Sequence, residues 1–296
     1  MKPSAEIPPT ALNEAAALIE SKLEERLNSF DLPPHLYEAA KYAVVNGGKR
    51  VRPALTLLCA EAVGGSRESA ISAAVAVEFI HCFSLVHDDL PAIDDDDLRR
   101  GKPTLHIHAG EAMAVLAGDL LLPLAFEVLS DGQYGYSQQV RLMNSLAYAT
   151  RKMVVGQVYD TLGGLPKHFS EEEGLQEIHR NKTGALITCA CVMGSICGGA
   201  SAKSQLAIAT FGEATGLMFQ IVDDLIDLYG ASEHVGKATG KDAPAGKTTY
   251  PGTIGVEESI EAVKQLKIQA ELALAPLGKQ AETLRLFNLW MAHRTR

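Results

Sequence analysis

The stretch SRESAISAAVAVEFIHCFSLVHDDLPAIDDDDLRRGKP, residues 66–103, decides the fold of this chain. Its first part is apolar nearly all round, with Glu78 as the only charge between the first turn and Asp88. Ser66 is a suitable N-cap for a helix there. Such a helix, reaching to about Leu90, would be about 35 Å long, and its apolar surface on every side predicts a place at the centre of the fold.

Six aspartates and two adjacent arginines follow within residues 87–103. Carboxylates this dense repel each other, and solvent, cationic partners or metal ions must relieve the repulsion. A solvated acidic loop is one interpretation. The position at the end of an apolar helix, and a second carboxylate set at residues 219–227, favour a functional site instead.

The second set is FQIVDDLID, residues 219–227. On a helix, at about 100° per residue, its polar side chains fall on one face. These side chains are Gln220, Asp223, Asp224 and Asp227. Their neighbours are apolar, so the carboxylates are costly there unless something binds them. Hard oxygen ligands of this kind suit Mg²⁺, which shares its coordination with water and phosphate oxygens.

The rest of the pattern predicts one all-α domain over residues 1–296. Strand-like alternation is nearly absent and no domain linker stands out. Periodicity and terminal signals predict helices at residues 10–30, 35–46, 110–130, 136–160, 171–180 and 203–229. They also predict a helix that ends at residue 63 and amphipathic helices after residue 229. Residues 183–202 carry no charge and are long enough for a membrane span, but small residues supply most of them. We interpret them as a buried, closely packed helix, and we expect no membrane span.

Composition excludes some classes of protein. The net charge of −9, without a basic stripe, argues against a general nucleic-acid binder. The five cysteines form no CxxC pair and lie in apolar surroundings, which predicts reduced, buried thiols and argues against zinc. The N-terminus lacks the apolar core of a signal peptide. We therefore expect a cytoplasmic protein.

Basic residues alternate with the two carboxylate sets along the chain. They are Lys49 and Arg52 after a Gly-Gly turn, Arg99 and Arg100, Lys182 at a helix start, and Lys237, Lys241 and Lys247 in a Gly/Lys/Pro stretch. Each one alone is typical of a surface. Together they predict a site for two multiply charged phosphates, one of them bridged to the aspartates by Mg²⁺.

With these motifs in this order, the chain resembles the trans-prenyl diphosphate synthases, specifically the bacterial-type farnesyl diphosphate synthases (geranyltranstransferases). The resembling segments are residues 47–53 (GGKRVRP), residues 81–103 with the DDxxxxD motif and Arg-Arg-Gly, residues 182–184 (KTG), residues 219–227 with the DDxxD motif, and residues 246–251 (GKTTYP). The resemblance implies the isoprenoid-synthase fold, a single-domain helical bundle around a central cavity, and a homodimer.

The resemblance also implies site residues. Metal ligands would be Asp88, Asp89, Asp94, Asp223, Asp224 and Asp227, with three Mg²⁺ ions held on an allylic diphosphate through Asp88, Asp94 and Asp223. Contacts to that diphosphate would be Arg99, Lys182 and Lys237, with Lys247 as a further substrate contact, and Thr183 and Gln220 would stabilise an allylic cation. Contacts to isopentenyl diphosphate would be Gly48, Lys49, Arg52, His81 and Arg100. The implied reaction joins isopentenyl diphosphate to dimethylallyl or geranyl diphosphate and yields farnesyl diphosphate (C15).

Product length depends on the wall just before the first motif. Phe83 and Ser84 lie about one turn before Asp88, and a bulky ring at Phe83 resembles the farnesyl-length members. Phe83 as an ordinary core residue remains the alternative, and we expect Phe83→Ala to lengthen the product beyond C15. A geranylgeranyl (C20) diphosphate synthase is the nearer rival. A non-catalytic subunit of a prenyltransferase is the rival from another class, although it would be expected to have lost one aspartate motif.

Other classes fit poorly. A terpene cyclase would need an aromatic-lined cavity, and the chain has 6% aromatic residues and a single tryptophan. A calcium-binding EF-hand loop would need alternating aspartates and a central glycine, which the acidic run lacks.

Overall fold

The structure, a computed structural model, describes residues 9–233 and 249–294, apart from the side chains of residues 230–233. Among these residues the only β-structure is one antiparallel pair, β1 (Leu98–Arg99) with β2 (Lys102–Pro103). The predicted all-α class is confirmed. The helical segments are α1 (Thr10–Asn28), α2 (Pro34–Val45), α3 (Val51–Ala62), α4 (Arg67–Asp88), α5 (Leu105–Ala109), α6 (Glu111–Ser130), α7 (Tyr136–Thr161), α8 (Glu171–His179), a π-helical turn (Arg180–Gly184), α9 (Ala185–Cys197), α10 (Ala202–Glu233), α11 (Tyr250–Ile254), α12 (Val256–Ala273), a 3₁₀ segment (Ala275–Ala281) and α13 (Glu282–His293).

The described residues divide into two compact units. The first, here the α4 unit, contains residues 10–148 and 189–201. The second, here the α10 unit, contains residues 9, 149–188, 202–233 and 249–294. The single domain expected over residues 1–296 stays a prediction.

Helix α4 begins where the sequence predicts. The Ser66 hydroxyl accepts a hydrogen bond from the Ser69 N–H at 3.3 Å, which caps the helix. Most of its apolar side chains are fully buried, and α3 and α6 pack against it. Among the described residues, α4 and α6 are long and apolar enough to cross a membrane. In their most apolar 18-residue stretches, 67% of α4 and 44% of α6 is buried. The burial of α4 is that of a core helix.

The small-residue helix α9 is buried in close packing, as predicted. Gly194 lies against the Thr56 carbonyl and Gly198 against Ala60, and a Cβ atom at either glycine would clash. All five cysteines are buried and free, in agreement with the sequence. The cytoplasmic location inferred with them stays a prediction.

In the α10 unit, α10 packs against α12, α13 and the π-helical turn. Helix α8 leads into that turn and starts with a capping box. The Ser170 hydroxyl accepts from the Glu173 N–H, and the Glu173 carboxylate accepts from the Ser170 N–H at 2.9 Å. The helix that this cap begins leads directly into the turn that carries Lys182 and Thr183.

Candidate active site

The first aspartate motif turns the chain at the C-terminal end of α4. Asp88 is the last residue of the helix, and its carbonyl accepts a hydrogen bond from the Asp94 N–H at 2.8 Å. The turn thereby returns the backbone of Asp94 to that of Asp88, and both side chains are half-buried. Asp95 leaves the turn with a positive φ of 52°. The side chains of Asp95 and Asp97 are exposed, as in a solvated continuation of the motif, whereas that of Asp96 is half-buried.

Asp89 is bound by an arginine from the same segment. Arg99 donates from Nε to both carboxylate oxygens at 2.8 Å and adds a bond from Nη2. Burial raises the pKa of Asp89, although Arg99 opposes the rise. Asp89 was predicted as a metal ligand and Arg99 as a diphosphate contact. To bind a metal ion, Asp89 must share or release Arg99, and to bind a diphosphate, Arg99 must share or release Asp89.

Predicted isopentenyl diphosphate contacts come together in the α4 unit. Arg52 Nη1 lies 3.3 Å from His81 Nε2. Because a guanidinium only donates, Nε2 is the acceptor and the ring proton sits on Nδ1. Burial, followed by the positive charges of Arg52 and Arg100, lowers the pKa of His81 well below its usual value. The ring is therefore neutral at physiological pH.

Gly48 allows Arg100 to approach the backbone. Arg100 Nη1 donates to the Gly47 carbonyl, and a Cβ atom on Gly48 would lie 2.5 to 2.8 Å from three atoms of the guanidinium. Gly48 also has a φ of 133°, which other residues rarely adopt. The adjacent Lys49 is exposed. Gly48, Lys49 and Arg52 share the 47–52 loop, which Arg100 contacts. These cations and backbone groups, called here the cation cluster, suit phosphate oxygens.

Arg50 lies in the same loop and was not predicted as a functional residue. Its guanidinium binds Glu20 of α1 and Glu78 of α4, each at 2.6 Å. One signal in the sequence could have found it. A single carboxylate in an apolar helix, here Glu78, needs a buried cation as partner.

The chain-length residues lie on α4. The Ser84 hydroxyl donates to the His81 carbonyl at 2.9 Å, so this side chain is used within its own helix. Phe83 is half-buried, and its ring packs edge-on against His87 at 5.1 Å between centroids. The fully buried Phe79, one turn earlier, shows what an ordinary core ring looks like in this helix.

In the α10 unit, glycines let neighbouring helices approach the π-helical turn. A Cβ atom on Gly156 of α7 would clash with the backbone of Lys182, and one on Gly216 of α10 would lie 2.7 Å from the Gly184 Cα. Single π-helical turns occur often at functional sites. This turn presents Lys182, whose ammonium binds Asp160 at 2.5 Å, a partner that the sequence did not indicate.

Thr183 begins a chain of hydrogen bonds through the second motif. Its hydroxyl donates to Gln220 Oε1 at 3.0 Å, and Gln220 Nε2 donates to Asp224 Oδ1 at 2.9 Å. The Tyr250 N–H donates to Asp224 Oδ2 at 2.8 Å. His179, buried beside this carboxylate, has its pKa lowered by burial to about 4. The chain of bonds fixes which way the Gln220 amide points.

Asp223 is bound from the far end of the chain. Arg294 Nη2 donates to Asp223 Oδ1 at 2.6 Å and to the Phe219 carbonyl at 3.0 Å. The guanidinium also lies over the Phe219 ring, 4.3 Å from its centroid. Asp227 is exposed. No sequence pattern pointed to Arg294.

The predicted contacts Lys237 and Lys247, together with Lys241, lie outside the described residues. The donor types of both aspartate motifs fit Mg²⁺, since this ion takes one or two protein carboxylates and completes its shell with water and phosphate oxygens. Among the described residues, no group of three or more His, Cys, Asp or Glu side chains converges on one point. The Mg²⁺ ligand set stays a prediction.

Comparison with known proteins identifies relatives over most of the chain. Residues 33–275 match the polyprenyl synthetase family. Geranylgeranyl pyrophosphate synthase 4 of Arabidopsis thaliana is 45% identical over 263 residues, which are 88% of this chain and 68% of that protein. A geranylgeranyl pyrophosphate synthetase from Pyrococcus horikoshii superposes with a TM-score of 0.85 at 33% identity, covering 96% of this chain and 97% of that one. An FPP/GFPP synthase from Zymomonas mobilis gives a TM-score of 0.82 at 33% identity, covering 96% and 98%. The expected isoprenoid-synthase fold is confirmed.

Proposed function

Because this chain belongs to the polyprenyl synthetase family, we propose that it condenses isopentenyl diphosphate with allylic diphosphates and releases geranylgeranyl diphosphate (C20). The chain is a prenyltransferase of this family. The observation that supports the C20 length is the 45% identity to a relative named for that product. The C15 product expected from the sequence becomes the second candidate.

The cation cluster supports the proposed binding of isopentenyl diphosphate. Lys49, Arg52 and Arg100 would hold its phosphate oxygens through charge-assisted hydrogen bonds. His81, held neutral by burial and by the cations around it, would add a ring N–H rather than a further charge. Gly48 leaves room beside Arg100 for the backbone to come close.

The allylic diphosphate would be held by Arg99 and Lys182. Each of these cations is bound to a carboxylate, Arg99 to Asp89 and Lys182 to Asp160. These carboxylates fix the orientation of the two cations that would contact the diphosphate. Mg²⁺, when bound by the aspartate motifs, would supply the positive charge that stabilises the departing diphosphate.

Departure of the diphosphate leaves an allylic carbocation, which Thr183 and Gln220 would stabilise. Their mutual hydrogen bond orients a hydroxyl and an amide dipole before the charge develops, so little reorganisation is needed. The double bond of isopentenyl diphosphate attacks the cation and forms the new carbon–carbon bond. The proton then lost passes to the released diphosphate, and no protein nucleophile takes part.

The second candidate, farnesyl diphosphate, is favoured by Phe83. Its ring is half-buried on the helix that ends in Asp88, whereas the ring of Phe79 is fully enclosed. A ring with an open side, just before the aspartates, has the bulk to limit a growing chain.

Chain-length analysis tests both candidates. The protein is incubated with isopentenyl diphosphate and with dimethylallyl, geranyl or farnesyl diphosphate, with and without Mg²⁺. We expect a Mg²⁺-dependent C20 product. A C15 product that Phe83→Ala lengthens, while the half-buried Phe30→Ala control leaves it unchanged, would support the second candidate. Lack of product from every starter would overturn the proposed condensation.

We also propose that the enzyme is a homodimer. The α4 unit exposes apolar side chains on α6 and α7, and exposed patches of this kind mark interaction surfaces. The exposed apolar side chains are Val115, Leu116, Tyr136, Val140 and Tyr148. Light scattering should give twice the chain mass of 31.6 kDa, and Leu116→Glu should shift the protein towards monomer. A monomeric wild type would contradict the proposal.

A further inference from the structure

Arg50 stands between two predicted substrate contacts, yet its side chain is buried. Its neighbour Lys49 is exposed, whereas Arg50 is 4% exposed. The backbone of Arg50 has φ 47° and ψ 34°, in the left-handed region. Residues other than glycine adopt this conformation rarely and at a cost in conformational energy, so the surroundings must hold it in place.

The guanidinium supplies that hold by joining four helices of the α4 unit. Arg50 lies at the N-terminus of α3. It donates to Glu20 of α1 at 2.6 and 3.1 Å, to Glu78 of α4 at 2.6 Å, and to the Val44 carbonyl at the end of α2. A planar guanidinium can make these bonds at once because its donors point in several fixed directions.

The charges show that Arg50 serves the protein rather than a ligand. Glu78 is 2% exposed in its side chain, and Arg50 is the cation that compensates it. Burial opposes the charge on Arg50, but hydrogen bonding to Glu20 and the charge of Glu78 outweigh it and raise the pKa. The guanidinium is thus permanently charged and already neutralised. Removing it would leave a buried carboxylate without its partner.

We propose that Arg50 is a positioning residue for isopentenyl diphosphate. By tying the start of α3 to α1, α2 and α4, it fixes the loop that carries Gly48, Lys49 and Arg52. None of the proposed allylic diphosphate contacts lies on this loop. The inference rests on the proposed function of the cation cluster, and it separates binding of the isopentenyl substrate from binding of the allylic one.

The variant Arg50→Lys keeps the charge but cannot reach two carboxylates and a carbonyl at once. We expect the KM for isopentenyl diphosphate to rise about 10-fold, with kcat and the KM for the allylic starter changed less than about 2-fold. Titration of the protein with isopentenyl diphosphate alone should show the same rise in Kd. A milder variant, Glu20→Gln, should raise this KM about 3-fold.

Arg67→Lys is the matched control. Arg67, at the start of α4, binds Glu61 of α3 at 2.7 Å and lies 3.8 Å from Glu14 of α1. It therefore joins three of the same helices away from the 47–52 loop. We expect both KM values to stay at the wild-type level.

Two results would overturn the positioning role. One is an equal rise in both KM values, and the other is an unchanged KM for isopentenyl diphosphate in Arg50→Lys and Glu20→Gln. If Arg50→Lys fails to fold, Glu20→Gln decides by the same criteria. Failure of the proposed function looks different, since the wild-type chain itself would then neither bind nor condense isopentenyl diphosphate.

Discussion

The two aspartate motifs have similar composition, but their partners come from different distances along the chain. In the first motif, Asp89 is bound by Arg99, ten positions away. In the second, Asp223 is bound by Arg294, 71 positions away. The first motif is a loop held by its own segment, and the second is a helix face held by the end of the chain.

This difference separates two kinds of dependence. The geometry of the first motif follows from the end of α4 and the turn after it, so changes elsewhere should leave it intact. The geometry of the second depends on the packing of α11 and α13 against α10. Three predictions, from the largest expected effect to the smallest, test whether the difference holds, and a fourth, with the smallest effect, tests the cation cluster.

Replacing Asp88 should have the largest effect. It should lower kcat/KM and leave the free energy of unfolding nearly unchanged. For Asp88→Asn we expect kcat/KM to fall about 10³-fold, or about 4 kcal/mol, because a proposed Mg²⁺ ligand loses its charge. The free energy of unfolding should stay within about 0.5 kcal/mol, since the side chain lies on a half-buried turn. Steady-state kinetics and urea unfolding measure the two quantities. Asp97→Asn, exposed in the same run, is the control, and a similar loss in that variant would refute a special role for Asp88.

Replacing Arg294 should act on stability first. Arg294→Ala removes the buried guanidinium that binds Asp223 and lies over the Phe219 ring. We expect the free energy of unfolding to fall by about 2 kcal/mol. This is less than for a fully buried pair because the Asp223 side chain is 36% exposed. Lys264→Ala breaks the exposed pair of Lys264 with Glu261 on α12 and should cost less than about 0.5 kcal/mol. Equal urea midpoints for both variants would contradict the claim that the second motif depends on a partner distant in the chain.

Asp224 should show the same non-local dependence on a smaller scale. In Asp224→Asn one acceptor oxygen becomes a donor, which then faces the Tyr250 N–H or the Gln220 amide. We expect a loss of about 1.5 kcal/mol in the free energy of unfolding. The exposed Asp227→Asn should lose less than about 0.5 kcal/mol. If Asp227→Asn were the more destabilised variant, the hydrogen-bond chain through Asp224 would not stabilise the fold.

The smallest effect concerns pH and the cation cluster. His81 is held neutral, so its pKa in the folded state lies below the unfolded value of about 6.5. Between these values the unfolded chain binds more protons, and stability is lost as the pH falls below about 6.5, by up to about 1.4 kcal/mol per pH unit. His81→Gln keeps an acceptor for Arg52 and should lose less stability between pH 7 and 5.5. The exposed His35→Gln should follow the wild type, and identical pH profiles for all three would contradict the burial of a neutral ring.

Much of the fold could be predicted from the sequence. The cap at Ser66, the helix up to Asp88 and the small-residue packing of Gly194 follow from local patterns, and the structure confirms them. The chain length of the product could not be predicted as well. Phe83 suggested C15, while the relatives favour C20, because one wall residue does not describe the rest of the path that a growing chain takes.

The sequence by itself determined the helices, the two aspartate motifs and the family to which they belong, because helical period and motif spacing are properties of residues close in the chain. Only the tertiary structure decided the partners. Arg50 with Glu78, and Arg294 with Asp223, are ion pairs between residues 28 and 71 positions apart. A charge that must be buried finds its counterion wherever packing brings one, and packing is set by many residues at once.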